Sequence, residues 1–178
     1  IDSVIPKNVQ QIIIQTKYFI VENIKTTRRF LKKVEREIDI DELQFFVLNK
    51  HTSAIDIESF LNPALDGNNM GVISEAGCPG IADPGSDIVS LAHSKNIKVV
   101  PLIGPSSILL ALIASGMNGQ NFCFNGYLPK EKNLRIKEIK ELERRAINGV
   151  TQIFMETPFR NNHLMEDLLK QCGPSTTL

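Results

Sequence analysis

The 178-residue chain has no tryptophan, only 3 cysteines and no surplus charge, since 20 lysines and arginines face 20 aspartates and glutamates. Each shortage excludes something. Cys78, Cys123 and Cys172 lie far apart and form no CxxC pair, which points away from a disulfide framework or a zinc site and toward a reducing cytoplasm. A formal charge of zero means that no global field draws in nucleic acid or membrane, so any basic surface must be local. No apolar run approaches the roughly 20 residues a membrane-spanning helix needs, and no signal peptide is visible. The phosphate loop GxxxxGK[ST], the zinc signature HExxH, the nucleophile elbow GxSxG and the dinucleotide fingerprint GxGxxG are all absent, which removes the usual marks of phosphoryl transfer and zinc hydrolysis.

What the chain does have is an alternation of strand and helix patterns. Helices are predicted over Pro6–Lys17, Ile24–Glu35, Ile55–Leu61, Ser86–Ser94, Pro105–Ser115, Lys130–Ile147 and Asn161–Cys172. Strands are predicted over Tyr18–Val21, Gln44–Leu48, Met70–Ser74, Ile97–Ile103, Phe122–Leu128 and Thr151–Glu156. Short connections between them imply βαβ units and a mainly parallel sheet, hence an α/β fold. The polar turn Gly116–Asn121 interrupts the alternation and sets an expected boundary between a first domain, residues 1–117, and a second, 118–178. The ends read as incomplete, because the chain opens on Ile1 and stops as a new β-branched run begins at Thr176.

Two helices carry concentrated charge. Ile24–Glu35 puts Ile24, Thr27, Phe30, Leu31 and Val34 on one face and Lys25, Arg28, Arg29, Lys32 and Lys33 on the other. On Lys130–Ile147, Leu134, Ile139, Leu142 and Ala146 are expected to face inward, with Glu131–Arg135 and Glu141–Arg145 as i,i+4 pairs.

In an open parallel sheet ligands gather at the carboxyl ends of strands, which directs attention to three loops. The first, Glu75–Gly85, holds three glycines and two prolines, so its backbone can approach a ligand without Cβ obstruction. The second, Ile103-Gly104-Pro105-Ser106-Ser107, is a strand-to-helix turn with Pro preset for the first helical turn and two hydroxyls beside free N–H groups. The third, Met155-Glu156-Thr157-Pro158-Phe159-Arg160, ends a strand with a charge and a hydroxyl. Each has an ordinary structural alternative: a turn, a helix cap and a surface ion pair.

Taken in order, the string from Gly71 to Gly85, the turn Pro101–Ser107, the segment Phe124-Asn125-Gly126-Tyr127-Leu128-Pro129 and the segment Phe154–Arg160 resemble the tetrapyrrole methylase family of S-adenosylmethionine-dependent methyltransferases. The nearest branch is the ribosomal RNA small-subunit cytidine 2′-O-methyltransferases. The resemblance covers nearly the whole chain. It implies two α/β domains, S-adenosyl-L-methionine in the cleft between them, and a homodimer. It also implies that a first strand is missing before Ile1 and that the end of the second domain is missing.

Carried over by position, Gly77, Cys78, Pro79, Ile81 and Ala82 line the cofactor, Ser106 and Ser107 lie near it, and Glu156 and Thr157 approach from the second domain. S-adenosylmethionine has no phosphate to hold, and glycines and small residues expose the backbone groups that meet its sulfonium and adenine. Methyl transfer needs in-line attack, so positioning supplies much of the rate. A ribose hydroxyl also benefits from a base, for which Asp83 and Glu156 are candidates by loop position, with His51 behind them. The rRNA branch has a His-Glu-His-Asn-Glu run where this chain has Leu48-Asn49-Lys50-His51-Thr52-Ser53, without the acidic residues.

The resulting expectation is methylation of ribosomal RNA, with Lys25–Arg36, or else Lys130, Lys132, Arg135 and Lys137, touching phosphates. The alternatives are a methyltransferase acting on a tetrapyrrole or other small molecule, and a cofactor-binding protein without catalysis. No metal is expected.

Overall fold

The computed structural model describes residues 3–49 and 52–178; His51 lies outside them. The chain divides into two compact units, residues 1–106 and 107–178.

The first unit contains α1 (Lys7–Gln15), β1 (Tyr18–Val21), α2 (Ile24–Val34), β2 (Gln44–Val47), α3 (Ala54–Phe60), α4 (Asn62–Leu65), β3 (Met70–Ile73) and α5 (Ser86–Ser94). The strands form a parallel sheet in the order β2-β1-β3, with Phe19 aligned to Phe45 and Gly71. β1 is central and almost continuously buried, as an apolar strand covered on both faces must be. Its side chains alternate between two cores. Phe19 and Val21 pack with Leu31 and Ile38 on one face, while Ile20 packs with Leu48, Leu61, Ile88 and Ala92 on the other.

Gly71 is dictated by this packing, because a Cβ there would sit 3.0 Å from two ring carbons of Phe19. Phe19 cannot readily yield, since it is fully buried and stacked on Phe45 at 6.0 Å between centroids. Asn23 caps α2, its side-chain oxygen accepting from the Lys25 N–H at 2.9 Å.

One expected strand is missing from this unit. Residues 97–103 form no strand: Ile97 and Val99 pack against the core around Ile20, but Val100, Leu102 and Ile103 are exposed, Ile103 at 72%. Pro101 has no N–H to contribute to a ladder, and among the described residues β3 pairs only with β1. Pro63 follows α3 and sits in the first turn of the short α4, where its missing donor costs nothing.

The second unit contains α6 (Ser107–Ser115), β4 (Phe122–Tyr127), α7 (Lys132–Ile147), β5 (Thr151–Met155), a 3-10 turn (Pro158–Arg160) and α8 (Asn161–Gln171). β4 and β5 pair in parallel, with an irregularity between Phe124 and Tyr127. The Asn125 side chain fills it by donating to the Ile153 carbonyl at 3.3 Å and the Gln152 side-chain oxygen at 3.1 Å. The core joins Leu128, Ile139, Leu142, Leu164 and Leu168.

The inward face of α7 differs from expectation at its first turn. Leu134 is exposed, and the neighbouring Arg135 is buried instead, with its guanidinium on Asp167 and on the carbonyls of Pro129 and Lys130. Arg135 therefore forms no pair with Glu131, whereas Glu141 does hold Arg145 at 3.1 Å, and Arg144 as well. Among the described residues no helix is long and apolar enough to cross a membrane.

Candidate functional site

The loop after β3 turns on residues with positive φ: Gly77 (76°), Gly80 (78°), Ala82 (62°) and Gly85 (139°). Ala82 is the exception to the glycine rule, and holding a residue with a Cβ there costs on the order of 1 kcal/mol. The loop closes on itself where the Gly80 N–H donates to the Pro84 carbonyl at 3.3 Å. At that crossing a Cβ on Gly85 would lie 3.1 Å from the Gly80 nitrogen. Glycine is thus demanded twice at Gly85, by φ and by space.

Most of the loop faces outward. Glu75, Ala76, Gly77, Pro79, Gly80, Ile81 and Ala82 are exposed, while Cys78 and Asp83 are half-buried. The space around Gly77 is open, with nothing within 4 Å of where a Cβ would stand. Its position is fixed from α2 and the end of β1. The Glu75 N–H donates to the Glu22 carboxylate at 2.9 Å, and the Thr26 hydroxyl donates to the Glu75 carboxylate. Glu22 and Thr26 had no motif to announce them; only the fold brings them to this loop.

The second loop joins the first through one contact. The Cys78 thiol lies 3.7 Å from the Pro105 carbonyl oxygen, as a long S–H···O hydrogen bond. Gly104 is unobstructed, and α6 begins at Ser107, two residues later than Pro105, so Ser106 stands just outside the helix and Ser107 is its first residue. The first-turn N–H groups of this helix have no intrahelical partner. The loop after β3 and the Gly104–Pro105 turn therefore meet at this contact, although no strand precedes the second of them.

The third loop belongs to the second unit. The Glu156 side chain, 4% exposed, accepts from the Thr157 N–H at 2.6 Å and forms an ion pair with Arg160 one turn later. Burial pushes the Glu156 carboxyl up, but the Thr157 N–H and the Arg160 guanidinium outweigh it and hold the group below the ordinary carboxylate range. Asp83 behaves oppositely, its carboxyl raised by burial first and by the nearby Glu75 charge second. Among the described residues no cluster of His, Cys, Asp and Glu is placed to hold a metal ion.

No family model matches the chain. Among curated proteins, it is 34% identical over 128 residues to the ribosomal RNA small subunit methyltransferase I of Vibrio cholerae, covering 72% of this chain and 43% of that protein. Against the Bacillus subtilis protein of the same name the figures are 38% over 137 residues, 77% and 45%. The chain belongs to the tetrapyrrole methylase family. It spans less than half the length of these curated relatives. The crystal structure of the methyltransferase CobJ superposes with a TM-score of 0.61 over 98% of this chain and 73% of that one, at 16% identity, a likeness of fold. The mixed α/β fold with parallel sheets is accordingly that of a methyltransferase of known structure.

Proposed function

We propose that the chain is part of an S-adenosylmethionine-dependent methyltransferase that 2′-O-methylates small-subunit ribosomal RNA. The reading is supported by the shared name of its relatives. The structural observation that carries it is the Cys78–Pro105 contact, which joins the glycine-opened loop after β3 to the Gly104–Pro105 turn.

These residues fit the cofactor on this structure's own terms. A ligand with a sulfonium, an adenine and an amino-acid moiety needs close backbone and few bases, and Gly77 and Gly104 both leave open space where a Cβ would stand. Gly77, Cys78, Pro79, Ile81 and Ala82 would hold one side of it, and the hydroxyls of Ser106 and Ser107 with the α6 N–H groups another. Glu156 and Thr157 would approach from the second domain, the two domains enclosing the cofactor cleft. When bound, S-adenosylmethionine supplies the methyl group.

Among the candidate bases, Asp83 suits proton acceptance from a ribose hydroxyl, because its raised affinity for a proton is set by its surroundings rather than consumed by an ion pair. Glu156, already engaged by Thr157 and Arg160, suits a positioning role. A homodimer would cover Leu109, Leu110 and Ile113, which α6 exposes. Three free cysteines suit the cytoplasm.

The test is methyl transfer from labelled S-adenosylmethionine to isolated small ribosomal subunits, run beside a tetrapyrrole precursor. Label in 2′-O-methylated RNA supports the reading. Label in the tetrapyrrole, or cofactor binding without transfer to either, overturns it.

A further inference from the structure

The chain is neutral as a whole, but its charge is not evenly mixed. α2 carries Lys25, Arg28, Arg29, Lys32 and Lys33 and not one carboxylate, and Arg36 follows just beyond its end. All six are exposed. At helical spacing the five on the helix form two rows, Lys25-Arg29-Lys33 and Arg28-Lys32, with successive cations about 6 Å apart along the axis. Like charges at i,i+4 work against a helix, so these rows reduce the stability of α2 rather than support it. The helix is held instead by its buried Thr27 and Leu31 and by its Asn23 cap.

α7 is the useful contrast. It has as many cations, yet Arg135 is buried on Asp167, Arg144 and Arg145 share Glu141, and Glu138 and Glu143 are interleaved. On α2, by contrast, no lysine or arginine forms an ion pair among the described residues. Arg28 lies over the Phe45 ring at 5.6 Å, and the Lys32 ammonium donates to the Arg36 and Ile38 carbonyls, so both are oriented while their charge stays uncompensated. Glu22 precedes the helix and accepts from the Glu75 N–H; the other acids nearest in sequence, Glu35, Glu37, Asp39, Asp41 and Glu42, follow it, and Glu42 pairs with Lys17. The acids that follow bound the basic track at one end. At its other end Thr26 touches Glu75, in the loop assigned to the cofactor.

We propose that the outer face of α2 is the surface through which this chain takes up RNA by its sugar–phosphate backbone, an inference that rests on the RNA-methylating function proposed above. A track of unpaired cations binds phosphates by displacing their counterions, without reading sequence. Because the track ends at the loop after β3, RNA lying along it is delivered to Asp83. An acidic protein would suit the charge equally but would give no reason for that placement.

The experiment compares the unaltered chain with a Lys25→Ala/Arg29→Ala/Lys33→Ala variant and with a Lys137→Ala/Lys140→Ala control, titrating each with a small-subunit rRNA fragment at several salt concentrations. The α2 variant should lose on the order of tenfold to a hundredfold in affinity at 0.1 M salt, and its log K against log salt slope should fall by about 2. The control should change little, and S-adenosylmethionine affinity should be the same in all three. Circular dichroism should show the variant folded, since the substitutions remove repulsion. Equal RNA affinity for the unaltered chain and the α2 variant overturns this inference alone. Failure of the unaltered chain to bind RNA overturns both it and the proposed function. Loss restricted to anionic vesicles of phosphatidylserine, with RNA binding unchanged, assigns the face to a membrane and also overturns the inference.

Discussion

The guanidinium of Arg135 grips the Asp167 carboxylate through Nε at 2.8 Å and Nη2 at 2.6 Å, with both side chains about nine-tenths buried. Its remaining nitrogen donates to the Lys130 carbonyl at 2.8 Å, so one side chain ties α7, α8 and the segment after β4 together.

Removing one partner leaves a buried charge uncompensated. Asp167→Asn should therefore cost about 3 to 5 kcal/mol, whereas Arg144→Ala, at an exposed pair, should stay within about 0.5 kcal/mol. An Arg135→Met/Asp167→Leu double variant should recover much of the loss. Denaturant unfolding with unchanged m-values decides this, and equal midpoints for Asp167→Asn and Arg144→Ala would sink it.

The Glu156–Arg160 pair predicts a pH signature. A carboxyl held below its unfolded value stabilises the folded state above the ordinary carboxylate range near ~4.3 and loses that contribution as pH falls through the folded value. Glu156→Gln should be less stable than the unaltered chain at pH 7 by about 1 to 3 kcal/mol, and the two should converge on acidification below about pH 4. A difference that is constant from pH 7 to pH 3 would show that Glu156 does not act through its charge.

Gly71→Ala tests the close approach under β3. The added methyl meets the Phe19 ring, which is locked in the core, and overpacking of this kind costs about 1 to 3 kcal/mol. Phe19→Leu/Gly71→Ala should be more stable than the sum of the two single changes predicts. Strict additivity in thermal unfolding would refute the contact.

Asp83 should titrate above the ordinary carboxylate range, with the larger part of the shift surviving in Glu75→Gln, because burial is the leading cause and the Glu75 charge the lesser. Carboxyl-carbon NMR reads this directly. A normal value in the unaltered chain, or complete reversal in the variant, contradicts it.

Much of this was legible before the fold was seen, for reasons that differ by element. β1, α2, α5 and α8 follow from periodicity, which the sheet and helix faces reproduce. The apolar run from Ile97 to Ile103 has strand composition, but a strand exists only where a neighbour offers its N–H and C=O groups, and sequence does not show neighbours. The exchange of Leu134 for Arg135 on the inward face of α7 had the same origin, since the carboxylate that repays burial of Arg135 is Asp167, 32 residues later. At the candidate site the loops themselves were visible as glycine and proline punctuation. Their supports, Glu22, Thr26 and the Cys78–Pro105 contact, are long-range and needed the folded chain.

The alternation along β1 has a consequence for how the first unit melts. Phe19 and Val21 belong to one hydrophobic cluster and Ile20 to the other, and the three are consecutive on one backbone. Neither cluster can lose its share of β1 without dragging that backbone out of the other and breaking the ladders to β2 and β3. The two clusters are thus thermodynamically coupled into one cooperative block, in which the β1 amides exchange with solvent only when the whole block opens.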